Sequence, residues 1–361
     1  MKKNKIISIV GARPNFVKLH PIHSALTSIG IDHIIIHTGQ HFDYEMSQVF
    51  FENLKLPNPD YNLNVGVGGH NFQLGQMLTK LEEILVKENP ELVLVYGDTN
   101  STLAGSLAAN KLNFLVCHVE AGLRSFDRKM PEEINRILTD HISDTLFCPT
   151  KNAVKNLKRE HVFGKSFLTG DVMAETLNDI LQLKEKESEI LNRLNIERKG
   201  YFLLTIHRSE NTELRNLYKI TQILKDTDKR IVFPIHPRTV KFLKQYMFFE
   251  DIMRNKNIRV TQPLSYPDFV FLEKNAQKIL TDSGGIQKEA YLLGVPCITL
   301  RENTEWVETI DSGWNILVGV NSSKILSALE EFNPTSDRKP IFGRGKASLK
   351  IANILFNSYL S

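Results

Sequence analysis

Short apolar runs rich in β-branched residues recur along the chain, and a segment with helical periodicity follows each of them. In the first half these runs lie at residues 6–10, 34–36, 92–96, 114–119 and 145–148. Strands that are apolar on both faces are typical of a parallel sheet covered by helices on either side. The alternation of strand and helix therefore predicts right-handed crossover units of the α/β class.

The same pattern begins again after about residue 170. Its runs lie at residues 201–205, 230–234, 258–260, 278–282 and 296–300. A chain of 361 residues is long enough for two domains, at roughly 100–200 residues for each. We therefore expect two doubly wound halves, each built around its own parallel sheet.

The charge balance of the chain argues against a nucleic-acid-binding protein. There are 45 basic and 41 acidic residues, well mixed along the sequence, and the formal net charge is only +4. No apolar stretch approaches the roughly 18 residues of a membrane-spanning helix. The N-terminal apolar run, at 6–10, is too short for a secretion signal. We expect a cytoplasmic protein without membrane insertion.

Neither the cysteines nor the histidines show the spacing of a metal site. Cys117, Cys148 and Cys297 are far apart, and each lies in or beside an apolar run, so we expect reduced thiols in the core. The 11 histidines include no His-x-x-x-His pair that shares a helical face with a carboxylate. The sequence therefore predicts no catalytic metal.

Charged residues follow several of the predicted strands, and ligands of parallel sheets bind at those strand ends. Arg13 and Lys18 flank the first turn, Asp98 and Glu120 end two later strands, and Glu132 comes shortly afterwards. A single glutamate in such a place is more often a neighbour of a helix cap than a catalytic group. Several carboxylates at one sheet edge repel one another, which raises the pKa of some and suits acid–base chemistry.

The segment Ser283-Gly284-Gly285 lies where a strand ends and a helix begins. Free backbone N–H groups and the helix dipole make such a terminus a phosphate site, and Glu289, one turn further on, is placed to reach a ribose. The alternative is an ordinary glycine turn with a serine cap. The segment matches neither the dinucleotide motif nor the nucleoside-triphosphate loop, which argues against a hydride-transfer enzyme and against a kinase.

Two histidines also follow strands of the second half. His207 is placed to neutralise a leaving phosphate, although a histidine that caps a helix or bonds the backbone fits the pattern equally well. His236 follows the next strand in a similar way. The chain has no Gly-x-Ser-x-Gly elbow, so we do not expect serine hydrolase chemistry.

An ordered set of motifs resembles one family nearly from end to end. The motifs lie at 11–14 with Lys18, 37–41, 97–99, 118–124, 131–136, 207–208 and 282–287. Together they resemble the non-hydrolysing UDP-N-acetylglucosamine 2-epimerases of bacteria and archaea. The resemblance implies two Rossmann-like domains that face each other across a cleft, the GT-B arrangement. The expected domains are 1–168, with a C-terminal helix at 344–361 that packs back on it, and 169–343, which binds UDP.

The resemblance also implies a two-step reaction without NAD, metal or another cofactor. A base removes the proton at C2 of the sugar while UDP leaves C1, and the products are a 2-acetamidoglucal and UDP. UDP adds back after a proton has reached the other face of C2. At the matching positions Asp98, Glu120 and Glu132 supply the acid and base, and His207 contacts the phosphate.

The remaining site residues are likewise implied by the resemblance. The substrate-binding positions are Arg13, Lys18, Arg136, Phe269, Ser283, Gly284, Gly285 and Glu289. Gln40, Arg208 and His236 resemble part of a second UDP-sugar site found in some members. A homodimer and a role in the synthesis of surface polysaccharide or glycan precursors are the family expectations.

Some positions depart from the commoner family pattern. Trp306 stands where many members have an arginine, and Lys288 replaces a common glutamate. These features are similar to a subgroup that epimerises UDP-2,3-diacetamido-2,3-dideoxy-glucuronate, so two sugars stay open. A glycosyltransferase on the same architecture and a hydrolysing 2-epimerase are further alternatives.

Overall fold

The computed structural model describes residues 5–41 and 48–360. The chain divides into two compact units: unit 1 is Met1–Asn178 with Pro340–Ser361, and unit 2 is Asp179–Lys339. This division lies later in the chain than the expected boundary after residue 168. Contacts within unit 1 account for the difference, because the Asp171 N–H donates to the Phe342 carbonyl at 2.9 Å and the Ser348 N–H donates to Glu175 at 2.9 Å.

Unit 1 is built on a seven-stranded sheet in which every pair of neighbours is parallel. Its strands are β1 (Lys5–Val10), β2 (Asp32–His37), β3 (Tyr61–Asn62), β4 (Leu92–Tyr96), β5 (Leu115–Val119), β6 (Thr145–Cys148) and β7 (Lys165–Leu168). The order is β3-β2-β1-β4-β5-β6-β7. Strand order reverses beside β1, as in doubly wound folds, and this reversal puts the ends of β1 and β4 side by side.

Helices connect these strands and supply the cover for the sheet. They are α1 (Arg13–Ser28), α2 (Gln48–Asn53), α3 (His70–Glu88), α4 (Asn100–Lys111), α5 (Pro131–Ile142), α6 (Lys151–Arg159), α7 (Met173–Leu181) and, near the C-terminus, α17 (Ala347–Leu355), which a π-helical turn follows. The C-terminal helix α17 packs against α1. Met77, Leu81 and Leu85 recur every four residues on α3 and are fully buried against β1 and β4, as one apolar helical face requires.

Unit 2 repeats the architecture with six parallel strands in the order β10-β9-β8-β11-β12-β13. They are β8 (Phe202–Thr205), β9 (Ile231–Pro234), β10 (Ile258–Thr261), β11 (Lys278–Thr281), β12 (Cys297–Thr299) and β13 (Asn315–Leu317). The helices are α8 (Lys184–Leu194), α9 (Ser209–Thr212), α10 (Leu214–Asp226), α11 (Pro237–Gln245), α12 (Phe249–Arg254), α13 (Tyr266–Asn275), α14 (Gly284–Leu293), α15 (Val307–Asp311) and α16 (Ser322–Glu331). The predicted class, two Rossmann-like α/β domains, is confirmed.

The three cysteines lie in the cores of these units as free thiols, as expected. Burial raises the pKa of all three, that of Cys297 to about 12, so the thiols stay protonated. Within residues 5–41 and 48–360, no cluster of His, Cys, Asp and Glu could hold a metal ion. The helices of those same ranges include none that is long and apolar enough to cross a membrane.

A chain of polar side chains runs through unit 1 along β1, β2 and β4. Ser8 Oγ lies 2.6 Å from the Tyr96 hydroxyl and 2.7 Å from His33 Nε2, and His33 Nδ1 lies 2.9 Å from His23 Nδ1. Burial and the neighbouring His23 lower the pKa of His33 from 6.5 to about 3. His33 is therefore neutral in the folded protein at pH values where the unfolded chain already binds the proton.

This difference makes unit 1 sensitive to acid. The stabilisation by neutral His33 is complete above about pH 6.5 and is lost as the pH falls from there towards 3, because the unfolded state then binds the extra proton. We expect His33→Asn to reduce the slope of the free energy of unfolding against pH by up to about 1.4 kcal/mol per pH unit between pH 4 and 6. Urea denaturation at several pH values measures this slope. Equal slopes for the wild type and the variant would contradict the prediction.

Candidate active site

Asn15 joins the turn after β1 to the end of β4. Its side-chain oxygen accepts hydrogen bonds from the backbone N–H groups of Gly11 (3.2 Å) and Ala12 (3.1 Å), and its amide donates to the Tyr96 carbonyl at 2.8 Å. The turn that precedes Arg13 is therefore fixed to the end of β4, whereas the Arg13 guanidinium lies 5.2 Å from the centre of the Phe50 ring. Sequence reasoning missed Asn15, because its role depends on a contact with a strand far away in the chain.

Lys18 and Glu120 form an ion pair with 2.9 Å between Nζ and Oε1, and both side chains are almost completely buried. Lys18 projects from α1, and Glu120 is the first residue after β5. The φ angle of Glu120 is +76°, in the left-handed region that is costly for a residue with a Cβ. Such strain at a buried acidic residue is typical of a functional site. The structure thus brings together Lys18 and Glu120, two of the predicted site residues.

Asp98 is held by Arg136, which also bonds Glu133. One terminal nitrogen of Arg136 donates to Asp98 Oδ2, and the other donates to Glu133 Oε2 at 2.8 Å. Glu133 is 1% exposed and accepts further hydrogen bonds from the N–H groups of Ser125 (3.0 Å) and Phe126 (2.9 Å). Glu133 is thus a structural anchor for Arg136, whereas the Asp98 side chain keeps about a quarter of its surface exposed (27%).

Glu132 occupies the first turn of α5 and is half-buried. In the part of the chain that the structure describes, it takes part in no hydrogen bond or ion pair. Its neighbour Glu133 is fully engaged, so the two adjacent glutamates have different roles. The Glu132 carboxylate is available to a ligand, as a proton donor or acceptor must be.

Gln40, predicted to belong to a second site, is fixed to the start of α4 in unit 1. Its side-chain oxygen accepts hydrogen bonds from the N–H (3.0 Å) and the hydroxyl (2.7 Å) of Ser101. The Ser101 hydroxyl also lies 2.8 Å from Thr38 Oγ1. A Cβ on Gly11 would lie 1.8 Å from Thr38 Oγ1, so the turn after β1 accepts only glycine there.

In unit 2, Asp282 organises the strand ends. Its buried carboxylate accepts hydrogen bonds from the backbone N–H groups of His207 (3.1 Å) and Arg208 (3.0 Å) and from the Asn211 amide (3.1 Å). His207 Nδ1 lies 3.2 Å from Asp282 Oδ1, while 39% of the His207 side chain is exposed. Burial alone would raise the pKa of Asp282, but the charge of His207 and these hydrogen bonds outweigh it and lower the pKa to about 2.

Arg208 and His236 lie at the same edge, next to Asp282 and His207 respectively. Arg208 Nε donates to the Asp282 carbonyl at 2.9 Å, and the rings of His207 and His236 are 5.7 Å apart. His236 caps α11, because its Nδ1 accepts from the Arg238 N–H at 3.1 Å. Arg208 and His236 therefore lie together in unit 2, while Gln40 belongs to unit 1.

The glycine segment lies at the N-terminus of α14, as predicted. Ser283 caps the helix by accepting from the Ile286 N–H, and Gly285 is exposed. A Cβ on Gly284 would lie 1.8 Å from Glu305 Oε1, whereas one on Gly285 would have only Ser283 Oγ near it, at 3.8 Å. An exposed helix terminus lined by glycine is a suitable anion site, because the dipole and the N–H groups both favour negative charge.

Glu289 is buried within α14 and accepts a hydrogen bond from the Tyr266 hydroxyl at 2.6 Å. Tyr266 begins α13, which also carries Phe269, a residue that is 5% exposed. The predicted ribose contact and the predicted aromatic residue are thus carried by neighbouring helices. Sequence reasoning missed Tyr266, since nothing in the spacing links it to Glu289.

Two of the departures from the commoner family pattern are in contact with each other. Lys288 Nζ lies 4.7 Å from the centre of the Trp306 ring, and both side chains are buried. A cation over an indole face contributes about 0.5–2 kcal/mol. A glutamate and an arginine at these positions would instead bring opposite charges together. The two substitutions therefore exchange one attractive contact for another.

The chain matches a family model described as UDP-N-acetylglucosamine 2-epimerase over residues 25–356. It is 55% identical to a UDP-N-acetylglucosamine 2-epimerase homolog of Methanococcus maripaludis, over 98% of this chain and 99% of that protein. It is 42% identical to a UDP-2,3-diacetamido-2,3-dideoxy-D-glucuronate 2-epimerase of Pseudomonas aeruginosa, over 97% of this chain and 99% of that protein.

The structure is also similar to the crystal structure of the Methanocaldococcus jannaschii UDP-GlcNAc 2-epimerase in complex with UDP-GlcNAc and UDP. The TM-score is 0.93 and the sequence identity 48%, over 98% of this chain and 100% of that chain. The similarity thus includes both units and all the elements that carry the candidate residues.

The two glycines of α14 give a matched pair of variants. Gly284→Ala must displace Glu305, which is itself buried and held 2.9 Å from Arg301 Nη2. We expect a loss of about 1–3 kcal/mol in the free energy of unfolding of unit 2. Gly285→Ala enters open space in a helix, so we expect no loss and a gain of up to about 1 kcal/mol. Chemical denaturation measures both, and equal stabilities would contradict the assigned close approach.

Proposed function

We propose that this chain, which belongs to the UDP-N-acetylglucosamine 2-epimerase family, interconverts UDP-N-acetylglucosamine and UDP-N-acetylmannosamine as an isomerase. The observation that carries the proposal is the similarity, over nearly its whole length, to a protein crystallised with UDP-GlcNAc. We propose that polar groups at the strand ends of each unit carry out the reaction. Polar, cationic and glycine residues of unit 2 would bind UDP, and the acidic turns of unit 1 would move the C2 proton.

The proposed reaction begins with elimination of UDP. The C2–H bond is only weakly acidic, because no carbonyl adjoins it, so the departing diphosphate must be strongly stabilised as its charge develops. We propose that His207 and the α14 terminus at Ser283, both at strand ends of unit 2, provide this stabilisation. The products of this step are UDP and a 2-acetamidoglucal. The base holds the proton taken from C2.

Re-addition of UDP with protonation of the opposite face of C2 completes the inversion. An acid and a base on opposite faces are needed, and we propose that Asp98, Glu120 and Glu132 provide them. Arg136 balances the charge of Asp98 and Lys18 that of Glu120, so both carboxylates are tolerated at a sheet edge. Exclusion of water would keep the glucal from being lost between the two steps.

The acid–base assignment is tested by removing one carboxylate at a time. We expect Glu120→Gln and Asp98→Asn each to lower kcat by about 10² or more, the effect of losing a general acid or base. Glu83→Gln, an exposed change on α3 of the same unit, serves as the control and should keep the wild-type rate. Epimer formation followed by NMR gives the rates. Near-normal turnover of both site variants would refute the assignment.

A second candidate substrate is UDP-2,3-diacetamido-2,3-dideoxy-glucuronate, which the Lys288 and Trp306 departures favour. We expect that wild-type protein given each UDP-sugar separately in deuterated water introduces deuterium at C2 of UDP-N-acetylglucosamine and produces its epimer. Deuterium incorporation only into the diacetamido sugar would instead identify that sugar as the substrate. Mass spectrometry and NMR of the recovered nucleotides distinguish the two.

The same incubation distinguishes an epimerase from the two other candidate enzymes. Free N-acetylmannosamine together with released UDP would indicate a hydrolysing enzyme. No reaction until a sugar acceptor is added would indicate a glycosyltransferase.

We also propose that the protein is a cytoplasmic homodimer and that its product enters surface polysaccharide or glycan precursor synthesis. Sedimentation analysis tests the dimer. The second UDP-sugar site at Gln40, Arg208 and His236 stays a prediction.

A further inference from the structure

A buried His–Asp pair lies directly behind the acidic turns of unit 1. His118, on β5, and Asp140, on α5, are both completely buried, and His118 Nδ1 lies 2.8 Å from Asp140 Oδ1. Neither side chain has access to a substrate. We propose that this pair positions the three candidate carboxylates relative to one another, an inference that rests on the epimerase function proposed above.

The first link of the pair is to the turn that carries Asp98. His118 Nε2 lies 2.7 Å from the carbonyl oxygen of Gly97, the residue before Asp98, and must donate to it. The Gly97 N–H in turn donates to the Val119 carbonyl at 2.9 Å. Gly97 has a φ of +65°, so the chain reverses here, and the direction of the reversal is fixed by these two hydrogen bonds.

The second link is to the turn that carries Glu120. Asp140 Oδ2 accepts a hydrogen bond from the N–H of Gly122, two residues after Glu120, at 3.1 Å. Glu120 and Gly122 both have positive φ, +76° and +82°. Glycine has little preference for one conformation and glutamate disfavours this one, so local preferences do not hold this backbone in place. The buried carboxylate therefore supplies an anchor that the local sequence does not.

The third link is along α5 itself. Glu132, Arg136 and Asp140 follow one another at intervals of four residues, so they lie along one side of the helix. Docking of Asp140 on His118 sets how far α5 projects over the strand ends. It thereby sets the position of Glu132, and of Arg136, which holds Asp98. One buried pair is thus connected to all three carboxylates.

Other charges complete the environment of the pair. Arg124 Nη1 donates to Asp140 Oδ2 at 2.6 Å, and its other nitrogens donate to Glu160 at 2.8 and 2.6 Å. Burial alone would raise the pKa of Asp140, but the hydrogen bond and charge of His118, together with Arg124, outweigh it and lower the pKa, so Asp140 stays ionised. The Asp140 carboxylate, which accepts from His118 and from the Gly122 N–H, is therefore ionised at neutral pH. Both the Asp98 turn and the Glu120 turn depend on it.

The expected consequence is a defect in chemistry without a matching defect in binding. A displacement of about 1 Å in a reacting group can cost about 10² in rate. Because the carboxylates act only at C2, the KM for the UDP-sugar should change little. Misplacing the acid relative to the base should also change how deuterium from the solvent divides between recovered substrate and epimer.

The test uses three substitutions of His118. His118→Leu removes both hydrogen bonds, His118→Gln retains a donor for the Gly97 carbonyl, and His118→Asn retains one for Asp140. We expect His118→Leu to lower kcat by about 10- to 100-fold with KM within about 3-fold of wild type, and the Gln and Asn variants to recover part of the loss. The matched control is His33→Asn, which removes a histidine from the same sheet away from the strand ends.

The readouts are kcat and KM for UDP-N-acetylglucosamine, the free energy of unfolding, and the division of deuterium between substrate and epimer. A changed division of deuterium in the His118 variants, together with an unchanged division in His33→Asn, supports the proposal that His118 positions the carboxylates. Wild-type kcat and an unchanged division in the Gln and Asn variants would overturn it, even if His118→Leu does not fold. Absence of C2 exchange in the wild type would instead overturn the proposed function, and this inference with it.

Discussion

A buried aspartate behind the strand ends of each unit is the constraint on which the candidate residues of that unit depend. In unit 1 Asp140 accepts from His118 and from the Gly122 N–H. In unit 2 Asp282 accepts from the His207 ring and from the backbone N–H groups of His207 and Arg208. In both units an ionised carboxylate in the interior is satisfied by a histidine and by turn amides, as buried charge requires. The difference is exposure: His118 is inside the protein, whereas His207 still faces solvent, so only the latter is placed to touch a ligand.

Most of the strands that sequence reasoning found are buried throughout, although β2 is exposed at its start and β10 is a partly exposed edge strand. β4, β8 and β11 are uninterrupted apolar runs, because helices cover both faces of a central parallel strand. The strands that it missed lie at the edges. β3 has two residues, β7 is partly exposed along its length, and β13 has three residues of which one is Asn315. β3, β7 and β13 have no continuous apolar pattern to detect, so their existence follows from pairing and not from local sequence.

The site was predictable in part, for a related reason. Residues directly after a central strand, such as Asp98 and Ser283, are found by the rule that ligands bind at strand ends. Residues that act through partners distant in the chain are not. Glu133 differs from Glu132 only because its side chain turns towards the N–H groups of the 125–126 loop, and no pattern in the sequence distinguishes them. The anchoring roles of Asn15 and Tyr266 were missed for the same reason.

The backbone at Glu120 has a consequence for how such a protein can be improved. A φ of +76° is easy for glycine and acceptable for asparagine, but a glutamate there holds strain of about 1–3 kcal/mol. Selection for thermal tolerance alone would therefore favour variants that relax this position and lose the carboxylate with it. Because Glu120 is one of the proposed acid–base residues, heat-resistant versions of this fold obtained without a parallel screen for turnover would tend to be inactive proteins with an intact architecture.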